Sequence, residues 1–470
     1  MISRRSFLGA AVAPLGARLL AGRDEEVDRR QPAIATPPFD VCIVGSGFAG
    51  TFLALQLVES GLRTAIVEAG GRLGPVDPPE GRIDRLPIVD SGGTGFRVDG
   101  TRTVGVGGTS HRWAGFATRL RPDDFRMRSR FGLLVDWPIG YADLEPFYRR
   151  AETLLGARAF SADRPLRFEV ARTQAPTGLR VPFDFRPVPF SSRHGKLAAI
   201  RLADVEVPRF EASPLGTLLA ERSAVRFLPG KGGVRGLEIR RPDGAIEVLE
   251  ARAFVIAAGT PESARLLLNS GLLENGWVGS HFNAHPRLTV RLPRHPEVGL
   301  PPGLVRADSL SDLLRGEGLN AAHVDLRVER DDARLEFMIE MEPSTRNRLI
   351  LDPPTTQTAR LHLEWSPSDR RTVAAVSELG QALAARLGRP EDLVEVQPLD
   401  WFHPAGVCRM ADRPELGAVD PNLRVFGTDN LFAVGASVFP TSGSGNPTLT
   451  IVALALRLGD HLLATLATLR

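Results

Sequence analysis

The spacing of apolar residues changes repeatedly along this 470-residue chain, and each change marks an element. Residues 41–44 are a short apolar run, read as a buried strand. Residues 48–58 then repeat apolar positions at helical spacing, before a second apolar run at 64–67. Much later, "ARAFVIAAGTPESARLLLNSG" (residues 251–271) reads as a strand, an Ala-Ala-Gly turn and a helix. Residues 448–463 are apolar nearly all round for three turns, which predicts a helix buried on every side. Four stretches between these, "RLTVRLP", "HVDLRVE", "RLEFMIEME" and "RLHLEW", look strand-like and predict a sheet, with a helix following over 371–387. No stretch reads as the ~18–20 apolar residues of a membrane span.

The first of these patterns carries chemistry. "FDVCIVGSGFAGTFLALQLVESGLRTAIVEAG" (residues 39–70) places Gly45-x-Gly47-x-x-Gly50 between strand and helix, and Glu68 at the end of the next strand. The three glycines serve a tight turn, close approach of backbone to a pyrophosphate, and close helix–strand packing. The helix N-terminus offers free N–H groups to phosphate. Glu68, 23 residues past Gly45, stands where an acid accepts ribose hydroxyls, which favours FAD or NAD over NADP. A second glycine cluster, "TVGVGGTSHRWAG" (residues 103–115), offers bare backbone to another part of a dinucleotide.

Composition narrows the partners. Hydrophobic residues are 43% and charged residues 24%, as in an ordinary globular protein. The net charge is only +3, and the pI of 9.3 reflects arginine, because Lys196 and Lys231 are the only lysines. There is no basic stripe with interleaved aromatics, which argues against nucleic acid as a partner. Cys42 and Cys408 offer no disulfide framework and read as packed thiols. No metal-ligand motif is present; His281 and His285 are four apart, but Pro286 and the lack of helical pattern argue against a metal pair. At the N-terminus, S-R-R-S-F-L (residues 3–8) resembles a twin-arginine export address. Residues 1–37 therefore read as signal peptide and spacer, for a periplasmic or otherwise exported protein; the alternative is a disordered basic tail.

From about residue 40 onward the chain resembles the glucose–methanol–choline (GMC) flavoprotein oxidoreductases. The resemblance rests on Gly45–Gly50, on Gly107-Gly108-Thr109, and on "DWPIGYADLEPFYRRAE" (residues 136–152). It continues through "FVIAAGTPESARLLLNSG", "WVGSHFNAHP" (residues 277–286), "FHPAGVCRM" and "NLFAVGASVFPTSGSGNPTLTIVALALRLGDHL". The glycine loop and the WPIGYADLEPFY segment look most like the branch holding sugar dehydrogenases and pyranose oxidase. The resemblance implies an α/β fold: a Rossmann-like FAD-binding domain from residues 38–118, 196–285 and 402–470. A discontinuous second domain, built on an antiparallel sheet from residues 119–195 and 286–401, would roof the flavin and shape the substrate pocket. It implies FAD, and cofactor contacts from Gly45, Gly47, Gly50, Glu68, Gly107, Gly108, Val225, Ala258, Gly435, Ala436, Asn446, Pro447 and Thr448. Some relatives tether the flavin to a loop histidine; here His111 sits one place early relative to Trp113, so non-covalent FAD is the expectation.

The same resemblance implies that His403 and Asn446 are catalytic. Removing hydride from a carbinol carbon requires taking the hydroxyl proton, a step suited to a base of near-neutral pKa. His403 stands three residues before Gly406, with Pro404 expected to hold its backbone extended. The competing reading is a satisfied core histidine. Asn446 could steady the substrate oxygen, or it could cap the helix that Pro447 opens. That helix N-terminus would favour negative charge on a reduced flavin. Three functions stay open. One is a dehydrogenase of a sugar, glycoside or polyol passing electrons to a cytochrome, quinone or partner subunit. The others are an oxygen-using alcohol or sterol oxidase, and a flavin relay without its own alcohol substrate. A flavin gripped by segments across the whole chain would also explain export in the folded state.

Overall fold

The computed structural model describes residues 39–73, 88–90, 94–96, 101–159, 166–171, 180–193, 196–197, 199–273, 275–295, 303–351, 359–389, 392, 394–397 and 399–467. The expected leader, residues 1–37, lies outside them. Five parallel strands make the first sheet, in the order Leu431–Ala433, Ala251–Ile256, Phe39–Val44, Thr64–Val67, Gly216–Leu219. Every residue of Thr64–Val67 and Leu431–Ala433 is buried, the continuous apolar pattern that a sheet covered on both faces demands. The helix Phe48–Glu59 covers it and packs against the C-terminal helix Thr448–Ala467, which also meets the helix Tyr141–Leu155. Gly459 makes the helix contact possible, since a Cβ there would fall 2.3 Å from Gln56 Oε1.

The helix Thr448–Ala467 differs from the expectation in one respect. It is 20 residues long with a mean hydropathy of 1.5 over 18 residues, long and apolar enough to cross a membrane by length and composition. In the structure it is a core helix, with 12 of its residues buried, Leu449, Leu454, Leu458 and Leu466 among them. Cys42 and Cys408 are both free and fully buried.

The second sheet has eight strands, with neighbours antiparallel. Its central run is Asn283–Pro293, Asp332–Ile339, Ala322–Val328, Gly303–Ala307, Arg180–Pro187 and Leu166–Ala171. Asp400–Ala405 and Glu395–Val396 both pair with the free edge of Asn283–Pro293. One face carries Leu288, Val290, Val324, Leu326, Leu335 and Phe337, packed against the helices Ser309–Gly316 and Pro367–Leu387 as a second core. The alternate positions, among them His323, Asp325 and Arg306, face the other way.

Three expectations are amended. "RLHLEW" forms the strand Ala359–His362, but it pairs with Arg348–Leu351 and Ile88–Asp90 in a sheet of its own. The helix expected over 371–387 begins a turn earlier, at Pro367, because Ser366 caps it by accepting from the Asp369 N–H. Within 119–195, Leu120, Phe125, Trp137, Leu144, Tyr148 and Leu155 pack into the first core rather than the second. The aromatic and C-terminal-helix surface available there outweighs their place in the chain.

Candidate active site

The glycine motif folds as its spacing requires. Gly45 has φ +104, and a Cβ on it would meet Ala257 O at 2.5 Å; a Cβ on Gly50 would sit 1.9 Å from Gly45 O. Gly47 is different, because a Cβ there meets nothing within 4 Å. Two glycines therefore serve packing and the middle one faces open space, the arrangement that lets a phosphate approach backbone. The second glycine loop docks directly onto the first: Gly107 donates its N–H to Ser46 Oγ at 3.0 Å, and Gly108 backs onto Gly47. Ser46 gives its own hydroxyl and N–H to Glu68 Oε2, at 2.6 and 3.0 Å, and Gly70 N–H reaches Oε1 at 3.0 Å. Burial raises the Glu68 pKa in spite of these hydrogen bonds. Oε1 keeps a lone pair for a ribose hydroxyl.

Ala258 adjoins Gly45, with its Cα 3.0 Å from where a Gly45 Cβ would be. Val225 is half-buried at an irregularity in the strand Ser223–Gly230, and its carbonyl accepts from Asn269 Nδ2. His111 gives Nε2 to the Val106 carbonyl at 2.8 Å, so it is engaged with backbone.

His403 does not have the extended backbone expected of a residue before proline: its φ is +56. The cause is a β-bulge. Asn283 pairs with Ala405 and His285 with Phe402, so the strand Asp400–Ala405 holds one residue more than its partner across that interval. The distortion is pinned from several sides. Thr260 donates to the Pro404 carbonyl at 2.7 Å, while Gly406 and Cys408 donate their N–H groups to Ala436 and Ser437. Ala436 and Ser437, which follow Gly435 (φ +124), thus hold the segment after the histidine. The His403 ring meets His285, Nδ1 to Nδ1 at 3.0 Å, and His285 Nε2 lies 2.8 Å from the Gly443 carbonyl. Burial, then the neighbouring His285, His323 and Arg306, hold the His403 pKa well below its ordinary value; burial takes His285 down to about 3.

Asn446 belongs to the same network. Its Oδ1 accepts from Arg306 at 2.9 Å, so its carboxamide does not cap the helix. Arg306 is itself held by a buried bidentate pair with Asp325, at 2.7 and 2.9 Å. Burial works against the Asp325 charge, but Arg306 overrides it and holds that carboxyl below the usual range. With Oδ1 taken, the Asn446 amide is oriented with its two N–H donors elsewhere, and they bond no described residue. Pro447 and Thr448 follow at once and open the C-terminal helix. Both sequence-identified residues thus meet around the Gly443–Asn446 loop: His403 through His285, Asn446 directly.

Residues 343–455 match the family model described as GMC oxidoreductase. The chain is 27% identical to paromamine 6'-oxidase of Streptomyces fradiae, over 94% of this chain and 93% of that one. Over nearly its whole length the chain is thus similar to GMC oxidoreductases. It is also 25% identical to 2-methyl-1,2-propanediol dehydrogenase of Mycolicibacterium austroafricanum, over 90% of this chain and 95% of that one. Pyridoxine 4-oxidase from Mesorbium loti shares the fold, with a TM-score of 0.62 at 20% identity over 90% of this chain and 99% of that one. So does formate oxidase, with 0.64 at 16%, over 92% and 99%.

The similarity to these flavoproteins calls for FAD, and the residues fit it. The opening at Gly47, those at Gly259 and Gly435, where an added Cβ also meets nothing within 4 Å, and the acceptor left on Glu68 suit a dinucleotide. Sequence reasoning missed His285, Arg306, Asp325 and Glu340. The alternation in "HVDLRVE" marks a polar face, yet periodicity does not say whether such a face meets solvent or a site. Glu340 is fully buried behind the loop, accepting the Gly443 N–H at 2.8 Å, with its pKa pushed by burial up to about 7.

Proposed function

We propose that this oxidoreductase converts a carbinol of a sugar, glycoside or polyol to the carbonyl, and hands its electrons to a cytochrome, quinone or partner subunit outside the cytoplasm. Oxidation of CH–OH is supported by the similar enzymes that act on sugars, polyols and pyridoxine; the substrate class and acceptor are our reading. One observation carries it: a bulge aims His403 into a network that also orients the Asn446 amide.

Bound FAD supplies the acceptor for a hydride. His403 takes the substrate hydroxyl proton, and its low pKa keeps it unprotonated and ready at neutral pH. Asn446 donates from Nδ2 to the same oxygen and fixes which hydroxyl is presented. Arg306, paired with Asp325, keeps that amide from flipping. With His111 bonded to the Val106 carbonyl, the flavin is held without a covalent link to it.

Loss of flavin absorbance under anaerobic mixing with a panel of sugars, polyols and primary alcohols tests the proposal. A sugar or polyol should bleach the holoenzyme within seconds; no bleaching by any of them would overturn it. The relationship to paromamine 6'-oxidase favours a second reading, with oxygen as acceptor. Admitting air to the reduced protein separates the two, since rapid reoxidation with peroxide release marks an oxidase.

A further inference from the structure

We propose that His285 is a positioning residue, which locks His403 in the one tautomer that leaves its Nε2 bare toward substrate. This rests on the reading of His403 as the base.

Hydrogen-bonding capacity, atom by atom, decides the tautomer. The Gly443 carbonyl only accepts, so the contact of 2.8 Å requires a hydrogen on His285 Nε2. His285 is fully buried, and no carboxylate among the described residues bonds to it, so the ring is neutral and carries that single hydrogen. Its Nδ1 is then a bare lone pair. His403 Nδ1 lies 3.0 Å away, and two bare nitrogens at that distance would repel; His403 Nδ1 therefore carries hydrogen and donates. A neutral imidazole with its hydrogen on Nδ1 has a lone pair on Nε2. His403 Nε2 bonds no described residue and is free to act.

The lock also has the right polarity during reaction. Bound flavin would accept the hydride that leaves the carbinol carbon; when the hydroxyl proton moves to His403 Nε2, the ring becomes an imidazolium. Its Nδ1–H bond to His285 is then charge-assisted and strengthens. The rings meet edge to face, 85° apart with centroids at 5.2 Å, so His285 offers its in-plane lone pair without stacking on the base. The bulge is what makes this meeting possible. Without the extra residue in Asp400–Ala405, His403 would sit on the other face of the strand.

Nitrogen-15 NMR of histidine-labelled holoenzyme tests the tautomer directly, with the His403 signals assigned by their loss in His403→Ala. Wild type should show His403 protonated at Nδ1 and bare at Nε2, with coupling across the Nδ1–H···Nδ1 bond. His285→Leu, which cannot accept, should give mixed tautomers and about 10²-fold slower flavin reduction by substrate. His285→Asn, whose Oδ1 still accepts, should restore the Nδ1-protonated form and reduction to within about tenfold of wild type. Protonation of wild-type His403 at Nε2 would overturn the proposal, as would an asparagine variant no better than leucine. Should His285→Leu fail to fold, the wild-type spectrum and the asparagine variant still decide. Unchanged reduction in His403→Ala would instead overturn the reading of His403 as base, and the spectrum would still judge the lock.

Discussion

Around Gly45, Gly47 and Gly50 a regular parallel strand runs straight into a regular helix, and the acid that completes the grip lies 22 positions from the serine it binds. At His403 the strand carries an extra residue and a positive φ, and its ring meets His285, which is held in turn by the Gly443 carbonyl. The first region is shaped by sterics, where glycine is required because there is no room for a side chain. The second is shaped by polar pairing between groups far apart in sequence. The two should therefore fail in different ways: one by losing the fold or the cofactor, the other by losing rate while keeping both.

The largest expected effect lies in the grip. Gly50→Ala places a methyl 1.9 Å from a backbone oxygen, and backbone cannot yield cheaply; soluble yellow protein should not be recovered. Recovery of flavin-loaded protein with ordinary yield would break the contrast at its stronger end. Next comes His403→Ala, expected to slow flavin reduction by about 10³–10⁴-fold with the flavin spectrum and melting temperature nearly unchanged. A comparable loss of bound flavin would mean that both regions serve the same purpose. Arg306→Met leaves Asp325 buried without its partner, at a cost of about 3–5 kcal/mol in denaturant unfolding, and frees the Asn446 amide. Wild-type stability in that variant would show the pair to be idle.

Acid sensitivity should also map to one region. His281, His285 and His403 are all lowered by burial, to about 4 and about 3 for the first two. Below pH ~6.5 the unfolded chain binds protons that the folded form refuses, so stability falls as pH drops through that range. His281 alone accounts for about 3 kcal/mol between pH 6.5 and 4. Glu68 and Glu340 act with the opposite sign: each is raised, so each costs stability as pH rises above about 4.5, for Glu340 up to about 7. His281→Gln should flatten the acid limb of melting temperature against pH, and Glu340→Gln should flatten the neutral one. Parallel curves for both variants would remove this assignment. The smallest effect is expected for Gly47→Ala. Its methyl meets open space, so stability should shift by less than about 1 kcal/mol while flavin binding weakens. A large loss of stability would show that Gly47 serves packing after all.

This difference also explains what could be read from the chain beforehand. Strand, glycine turn, helix and acid from Phe39 to Glu68 follow from local spacing, and the strands at 287–293, 323–329 and 334–342 follow from alternation. His403 and Asn446 were legible as residues, because of the family likeness, but not as geometry. A proline rule predicts extended backbone at His403, and a bulge set by a strand 118 residues away overrides it. His285 was noticed only for its spacing from His281, which has no bearing on its contact with His403. The choice between cap and active-site group for Asn446 turned on Arg306, 140 positions away. Short-range pattern carries no information about such pairings.

Gly443, finally, is held on both sides of its Cα: its N–H by the Glu340 carboxylate and its carbonyl by His285. A loss or gain of charge on Glu340, poised near neutrality, changes how firmly the backbone at Gly443 is held and hence how the carbonyl that meets His285 is placed. The back wall of the reaction chamber is thus an electrical lever, and the turnover of a hydroxyl at the front would carry the imprint of a carboxyl that never touches it.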